Sequence, residues 1–181
     1  MNGSSGSLIS RAMGAAFLDV HTYEAVEADR SATSQAAMVV LLVAISGAIG
    51  ASGEGSGGMV AGVFNAFAGW FIWAGVTNLV GTRLLGGTAD WGELLRTLGF
   101  AQAPGILAFL GALPLLGGSV SFVLALWTLV TGVVAIRQAL DVSTGKAVLT
   151  ALISMAVVIA VAVGVAVVLG VGAGVASILA G

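Results

Sequence analysis

The sequence predicts an all-α, polytopic membrane protein: five transmembrane helices preceded by an amphipathic helix at the interface. Three observations predict it. Of the 181 residues, 59% are hydrophobic and only 8% charged, with a mean hydropathy of +1.12. Soluble domains carry charge on about a quarter of their residues, so this chain cannot clothe a water-facing surface. Five uncharged runs are of the length, or close to it, that carries a helix across a hydrocarbon core of about 30 Å. All six Lys and Arg residues fall on one side of the resulting topology.

The elements follow in order. Residues 1–7 (MNGSSGS) carry no apolar pattern and are expected to be disordered. Leu8, Ile9, Ala12, Met13, Ala16 and Phe17 then recur at helical spacing, with Ser10, Arg11 and Gly14 between them, as in a helix lying on the cytoplasmic interface. A second short helix is expected to begin with Thr22 as its N-cap and to run through Tyr23, Glu24, Val26 and Glu27. Residues 8–32 thus form an interfacial region, and residues 33–181 the membrane domain.

Span one is placed at 34–51 and span two at 59–82, joined by SGEGSGG as a turn. Span three, 98–116, contains Pro104 and Pro114; each removes a backbone donor, which predicts a kinked helix. Only GGS separates it from span four, 120–136. The last uncharged run, 147–181, exceeds the thickness it must cross, so span five is placed at 148–170 with the tail continuing into the far interface.

Arg11 and Arg30 precede span one, Arg83 and Arg96 lie between spans two and three, and Arg137 and Lys146 lie between spans four and five. Only Glu54 falls opposite. A re-entrant third run would push Arg137 and Lys146 outside, against the positive-inside rule. The expected placement is a prokaryotic cytoplasmic (inner) membrane, N-terminus inside and C-terminus outside.

Much chemistry is excluded. With Cys 0 and one histidine, His21, there is no thiol nucleophile, disulfide framework or histidine cluster for a metal. GEGSGG lacks the Gly-Lys-Ser/Thr ending of a phosphate loop, and no G-x-S-x-G elbow is present. The net charge of -2 supplies no field for nucleic acid. None of the spans carries Asp, Glu, Lys, Arg or His in its interior, which argues against ion-driven transport by acidic side chains. No enzymatic activity, cofactor or metal is expected.

The polar residues at depth are Asn65, Asn78 and Gln102. They read either as the lining of a cavity or path, or, as the preferred reading, as interhelical hydrogen bonds worth about 1 kcal/mol each. Pro104 and Pro114 read as a broken-helix binding site or, preferably, as kinks that let spans nest. Ala162, Ala166, Gly170 and Gly174 recur four apart, a stripe for close helix packing within the monomer or between copies; Gly58 and Gly62 open span two in the same way.

Asp90 and Glu93 have capping-box spacing, and Trp91 suits the interface. Leu94, Leu95 and Leu98 give one apolar face, and Glu93 is placed to pair with Arg96. This predicts an interfacial helix leading into span three. Arg137 and Asp141, four apart, suggest that helix four continues past the membrane. Together with Tyr23 and Glu24, the residues Asp90, Trp91, Glu93, Arg96, Arg137 and Asp141 make a candidate cytoplasmic surface for a partner.

The segment LLGGTADWGELLRTLGFAQAPGILAFLGALPLLGG, followed by ALWTLVTGVVAIRQALDVSTGKAV, resembles the Yip (Ypt/Rab-interacting protein) domain family in its prokaryotic form. The matching positions are Gly86, Gly87, Leu94, Arg96, Gly99, Phe100, Pro104, Pro114, Trp127, Ala135, Arg137 and Ala139, with Thr22, Tyr23 and Glu24 near the N-terminus. The resemblance covers nearly the whole chain and implies five spans with a cytoplasmic N-terminus. Eukaryotic members act in vesicle trafficking through Rab-type GTPases. This sequence lacks their long N-terminal region and the Asp-Leu-Tyr-Gly-Pro type of motif in its inner loops, so that role is not carried over.

The leading expectation is a non-enzymatic membrane-organising or partner-binding scaffold. The alternatives are a small transporter, channel or lipid-handling protein using span three, and an accessory subunit of a larger membrane complex. The expected partners are the bilayer, a membrane or cytoplasmic protein, and a second copy of the chain; nucleic acid is not among them.

Overall fold

The computed structural model describes residues 6–50, 56–113 and 117–180, leaving aside the side chains of 56–59 and 168–180. Among the described residues every regular element is helical. Two short helices, α1 (Leu8–Ala16) and α2 (Val20–Ala28), precede α3 (Ala32–Gly50) and α4 (Ser56–Leu84). Then come α5 (Trp91–Ala101), a 3-10 helix (Ala103–Ala112), α6 (Gly117–Ala139) and α7 (Thr144–Ala180). Five segments are long and apolar enough to cross a membrane, the third being α5 and the 3-10 helix together.

That third span is the axis of the bundle. Of its most apolar window 56% is buried, against 17% to 28% for the other four. Every residue from Leu94 to Ala101 is buried, because α5 packs against α1, α2, α3, α4 and α6. The outer helices turn large apolar side chains outward, Ile49, Phe64, Ile72, Leu126 and Ile159 among them, as lipid contact requires. The helix that carries the expected span three begins at Trp91, ahead of Leu98, so the expected interfacial helix and the span are continuous and Arg96 is buried within it.

Its entry is set by the capping box read from the spacing. The Asp90 carboxylate accepts from the Glu93 N–H at 2.8 Å, and the Glu93 carboxylate accepts from the Asp90 N–H at 2.7 Å. Its far half departs from a kinked α-helix. After Gln102 the chain tightens into 3-10 geometry for 10 residues, where runs beyond three or four are uncommon. Pro104 has no N–H to continue the α ladder. Ser46 of α3 stands in for the lost bonds: its hydroxyl donates to the Ile106 carbonyl at 2.7 Å and accepts from the Phe109 N–H at 2.8 Å.

Two glycines let these backbones meet. A Cβ on Gly50 would lie 2.1 Å from the Ala108 carbonyl oxygen, and one on Gly105 would lie 2.8 Å from Val43. The 3-10 form also lengthens the span. Its 10 residues cover about 20 Å at 2.0 Å each, and the 11 residues of α5 about 17 Å, enough together for the hydrocarbon core.

The N-terminal helices depart from expectation in two details. The N-cap of α2 is Asp19, not Thr22: its carboxylate accepts from the His21 N–H at 3.2 Å and from the Thr22 hydroxyl at 2.6 Å. In α1 the apolar residues split between two faces. Ala12 and Ala15 turn into the bundle with Arg11, while Ile9, Met13 and Phe17 point outward. Later in the chain, α6 continues past the expected span end at 136 as far as Ala139, and Asp141 takes a left-handed conformation at φ 53°.

The loops at the basic end are bound to one another. Thr88 N–H donates to the Leu140 carbonyl at 3.2 Å, and Lys146 Nζ to the Leu85 carbonyl at 3.0 Å. Gly86 takes φ 75°, and a Cβ on Gly87 would lie 2.7 Å from Leu140. The turn therefore demands glycine at both positions.

Candidate functional site

On the basic side of the bundle α5 fills the centre. Beyond Gln102 the 3-10 helix leans onto α3 and α6, and a space opens beside the third span, running from the far half toward the basic end. The result is a cavity of about 740 Å3, within the range of small-molecule sites. Its walls come from α3, α4, α5, the 3-10 helix, α6 and α7.

Its surface is largely apolar, with Trp70, Trp73, Leu98, Leu129, Ile136 and Met155 prominent. Trp70 is locked in place: its indole N–H donates to the Leu95 carbonyl at 3.0 Å, and a Cβ on Gly99 would lie 3.1 Å from the ring. Gly69 and Gly132 also line the space, and a Cβ on either would meet nothing within 4 Å. Four polar residues face it: Asn65, Gln102, Ser121 and Thr128. Among the described residues, none of their side chains hydrogen-bonds to another protein group, and none of the lining residues is charged.

The structure thus separates the three polar residues singled out in the spans. Asn65 and Gln102 share the cavity. Asn78 does not; it donates to the Ala89 carbonyl at 2.8 Å and pins the loop before α5. Pro104 sits at the start of the 3-10 helix beside Gln102, so it helps to create the opening. Pro114 lies outside the described residues, as do the surroundings of Gly170 and Gly174 and the turn at 51–55. Ala162 and Ala166 are exposed.

A second constellation holds α1 and α2 to the bundle. Arg96, 5% exposed, sends its Nε to the Val26 and Glu27 carbonyls, each at 3.0 Å, and an Nη to Glu27 as well. These are free carbonyls at the C-terminus of α2, where a cation also offsets the helix dipole. Arg11 pairs with Asp29 at 2.7 Å and donates to Gln35 at 3.3 Å. The Ser31 hydroxyl and then Arg11 hold the Asp29 carboxyl down at about 2.

Buried Tyr23 donates to the Ala15 carbonyl at 3.0 Å and the Thr131 carbonyl at 3.3 Å, and burial pushes its phenol up. Trp127 donates to the Ala16 carbonyl at 2.7 Å, and its ring lies 6.2 Å from that of Phe17. Thr131 completes the contact with a bond of 2.6 Å to the Ala101 carbonyl.

The residues of the expected partner surface lie in different settings. Tyr23 and Arg96 are buried and engaged inside the molecule, and Arg96 bonds to α2 instead of pairing with Glu93. Arg137 bonds to Gln138, not Asp141, and Asp141 accepts from the Thr88 hydroxyl at 3.3 Å. Glu24 and Asp90 are exposed, Glu93 is half-buried, and Trp91 is about half exposed with its ring 5.9 Å from that of Phe71.

Glu27 escaped sequence reasoning. Burial first, then the nearby carboxylates Glu93 and Asp141, raise its carboxyl to about 7, against the pull of Arg96. Only its place on the inward side of an acidic helix hinted at this. Among the described residues no group of three or more His, Asp or Glu is arranged to hold a metal ion.

Apolar helices around an uncharged, partly open cavity, with a hairpin of two short helices locked into one end, define a polytopic membrane protein with a pocket among its helices. The Yip1 domain model matches residues 19–177, and the chain belongs to that family. No curated protein and no solved structure matches it.

Proposed function

We propose that this member of the Yip family is a non-enzymatic protein that holds a membrane-soluble molecule in its central cavity. One observation carries the reading: a space of about 740 Å3 faced by Asn65, Gln102, Ser121 and Thr128, whose side chains the fold itself does not use. Polar groups at membrane depth are costly unless bonded, so a molecule that bonds them gains affinity there. The bilayer is both the surroundings and the source of such a molecule. The basic end faces the cytoplasm in this reading, which puts the N-terminus inside a prokaryotic inner membrane and the C-terminus outside.

The test is the lipid retained by the purified protein. About one apolar molecule per chain should follow the wild type through gentle detergent and be lost from Gly69→Leu/Gly132→Leu, whose new side chains enter open space. Equal retention by both proteins would refute the reading.

A scaffold role is the second reading, favoured by the exposed ring of Trp91 at the end that also carries Glu24, Asp90, Glu93, Arg137 and Asp141. A protein partner copurifying in fixed stoichiometry, and lost on Trp91→Ala, would support it. The same measurement tests an accessory-subunit role or pairing of two copies through Ala162 and Ala166.

A further inference from the structure

Resting on that cavity reading, we propose that the occupant is a long-chain amphiphile with an uncharged, hydrogen-bonding head group, of the acylglycerol or long-chain alcohol class. The lining has a direction. The loops joining α4 to α5 and α6 to α7 lie together at the basic end, so α4 runs toward that end and α7 away from it.

Asn65 on α4 and Ser121 on α6 therefore belong to the far end of the cavity, Gln102 and Thr128 to its middle, and Leu98, Ile136 and Ala151 to the basic end. From Ser121 to Ile136 the lining follows α6 for about 22 Å. A space with hydrogen-bonding groups over its far half and hydrocarbon over the rest matches a molecule with a polar head and a long chain.

The head group is uncharged because the site offers nothing to a charge. No described lining residue is ionisable, so a carboxylate or phosphate would be stripped of water with no cation to receive it. The amides of Asn65 and Gln102 each donate and accept, and the hydroxyls of Ser121 and Thr128 do the same, which suits hydroxyl and ester groups.

The experiment uses the full chain in lipid nanodiscs and two probes with the same spin-labelled chain, a monoacylglycerol and a fatty acid, at a pH where the acid is ionised. Trp70 and Trp73 line the cavity, so occupancy is read as saturable quenching of tryptophan fluorescence. The monoacylglycerol should bind at least about tenfold more tightly than the fatty acid, and Asn65→Leu/Gln102→Leu should weaken it by about tenfold.

Gly132→Leu on α6 and, separately, Gly69→Leu on α4 should abolish saturable quenching by both probes, with helical content unchanged. Equal or tighter binding of the fatty acid would overturn the head-group assignment and leave the cavity reading standing. Saturable quenching that survives both leucine variants, or none in the wild type, would overturn the cavity reading itself.

Discussion

Replacing Arg96 with Met should release α2 from the bundle while the five spans stay assembled. The guanidinium is 5% exposed and bonds to the Val26 and Glu27 carbonyls. A hydrogen bond to a charged group contributes about 1.5–3 kcal/mol net, and a buried acceptor left without a donor costs about 1–3 kcal/mol. Two carbonyls lose their donor in Arg96→Met, partly offset because a buried charge is also removed. The balance is about 3 kcal/mol against docking, or roughly two decades in the opening equilibrium at 1.36 kcal/mol per decade. Hydrogen exchange read over residues 20–28 should speed up by roughly 100-fold, with the amides of α5 far less affected. Arg96→Lys should recover only part of the protection, because its ammonium lacks the rigid planar fork that places Nε and an Nη on these carbonyls together. Exchange over α2 within threefold of wild type in Arg96→Met would refute the assignment of Arg96 as the latch.

Two further outcomes follow from the same geometry. Ser46→Ala removes one donor and one acceptor from the 3-10 helix and should lower stability by about 2–3 kcal/mol, read as a fall in Tm in detergent; an unchanged Tm would mean that the Ile106 and Phe109 groups find other partners. Glu27, with its carboxyl raised to about 7 in the docked state, holds its proton more firmly there than in the open one. Its contribution to docking is fully present below the ordinary carboxylate value of 4.5, falls as the pH rises and is gone once the pH has passed about 7. Exchange over α2, corrected for intrinsic rate, should therefore be slower at pH 5 than at pH 8, and Glu27→Gln should flatten the difference.

The spans were legible because lipid contact imposes composition, and outward faces such as Phe64, Leu126 and Ile159 need only be apolar. The capping box was legible because both partners sit within one turn of each other. Arg96 was expected on an exposed interfacial helix; what makes its burial tolerable is a pair of carbonyls about 70 positions away, which no local pattern encodes. Pro104 announced a break but not its direction. That direction depends on Ser46, 60 positions before the Ile106 carbonyl it bonds, and on the close approach of Gly50 to Ala108. The cavity follows from that lean and was visible beforehand only as isolated polar letters, Asn65 and Gln102; Asn78, nearer the inner boundary beside Arg83, bonds Ala89 instead.

The cavity is tested most directly by light-induced crosslinking of a monoacylglycerol whose chain carries a diazirine, followed by mapping of the labelled residues. An internal site requires label concentrated on the buried lining residues Trp70, Leu98, Leu124 and Ile136, displaced by unlabelled monoacylglycerol and lost in Gly132→Leu. Label spread evenly over the outward-facing Leu126, Val130 and Ile159, and indifferent to competitor and to Gly132→Leu, would contradict it.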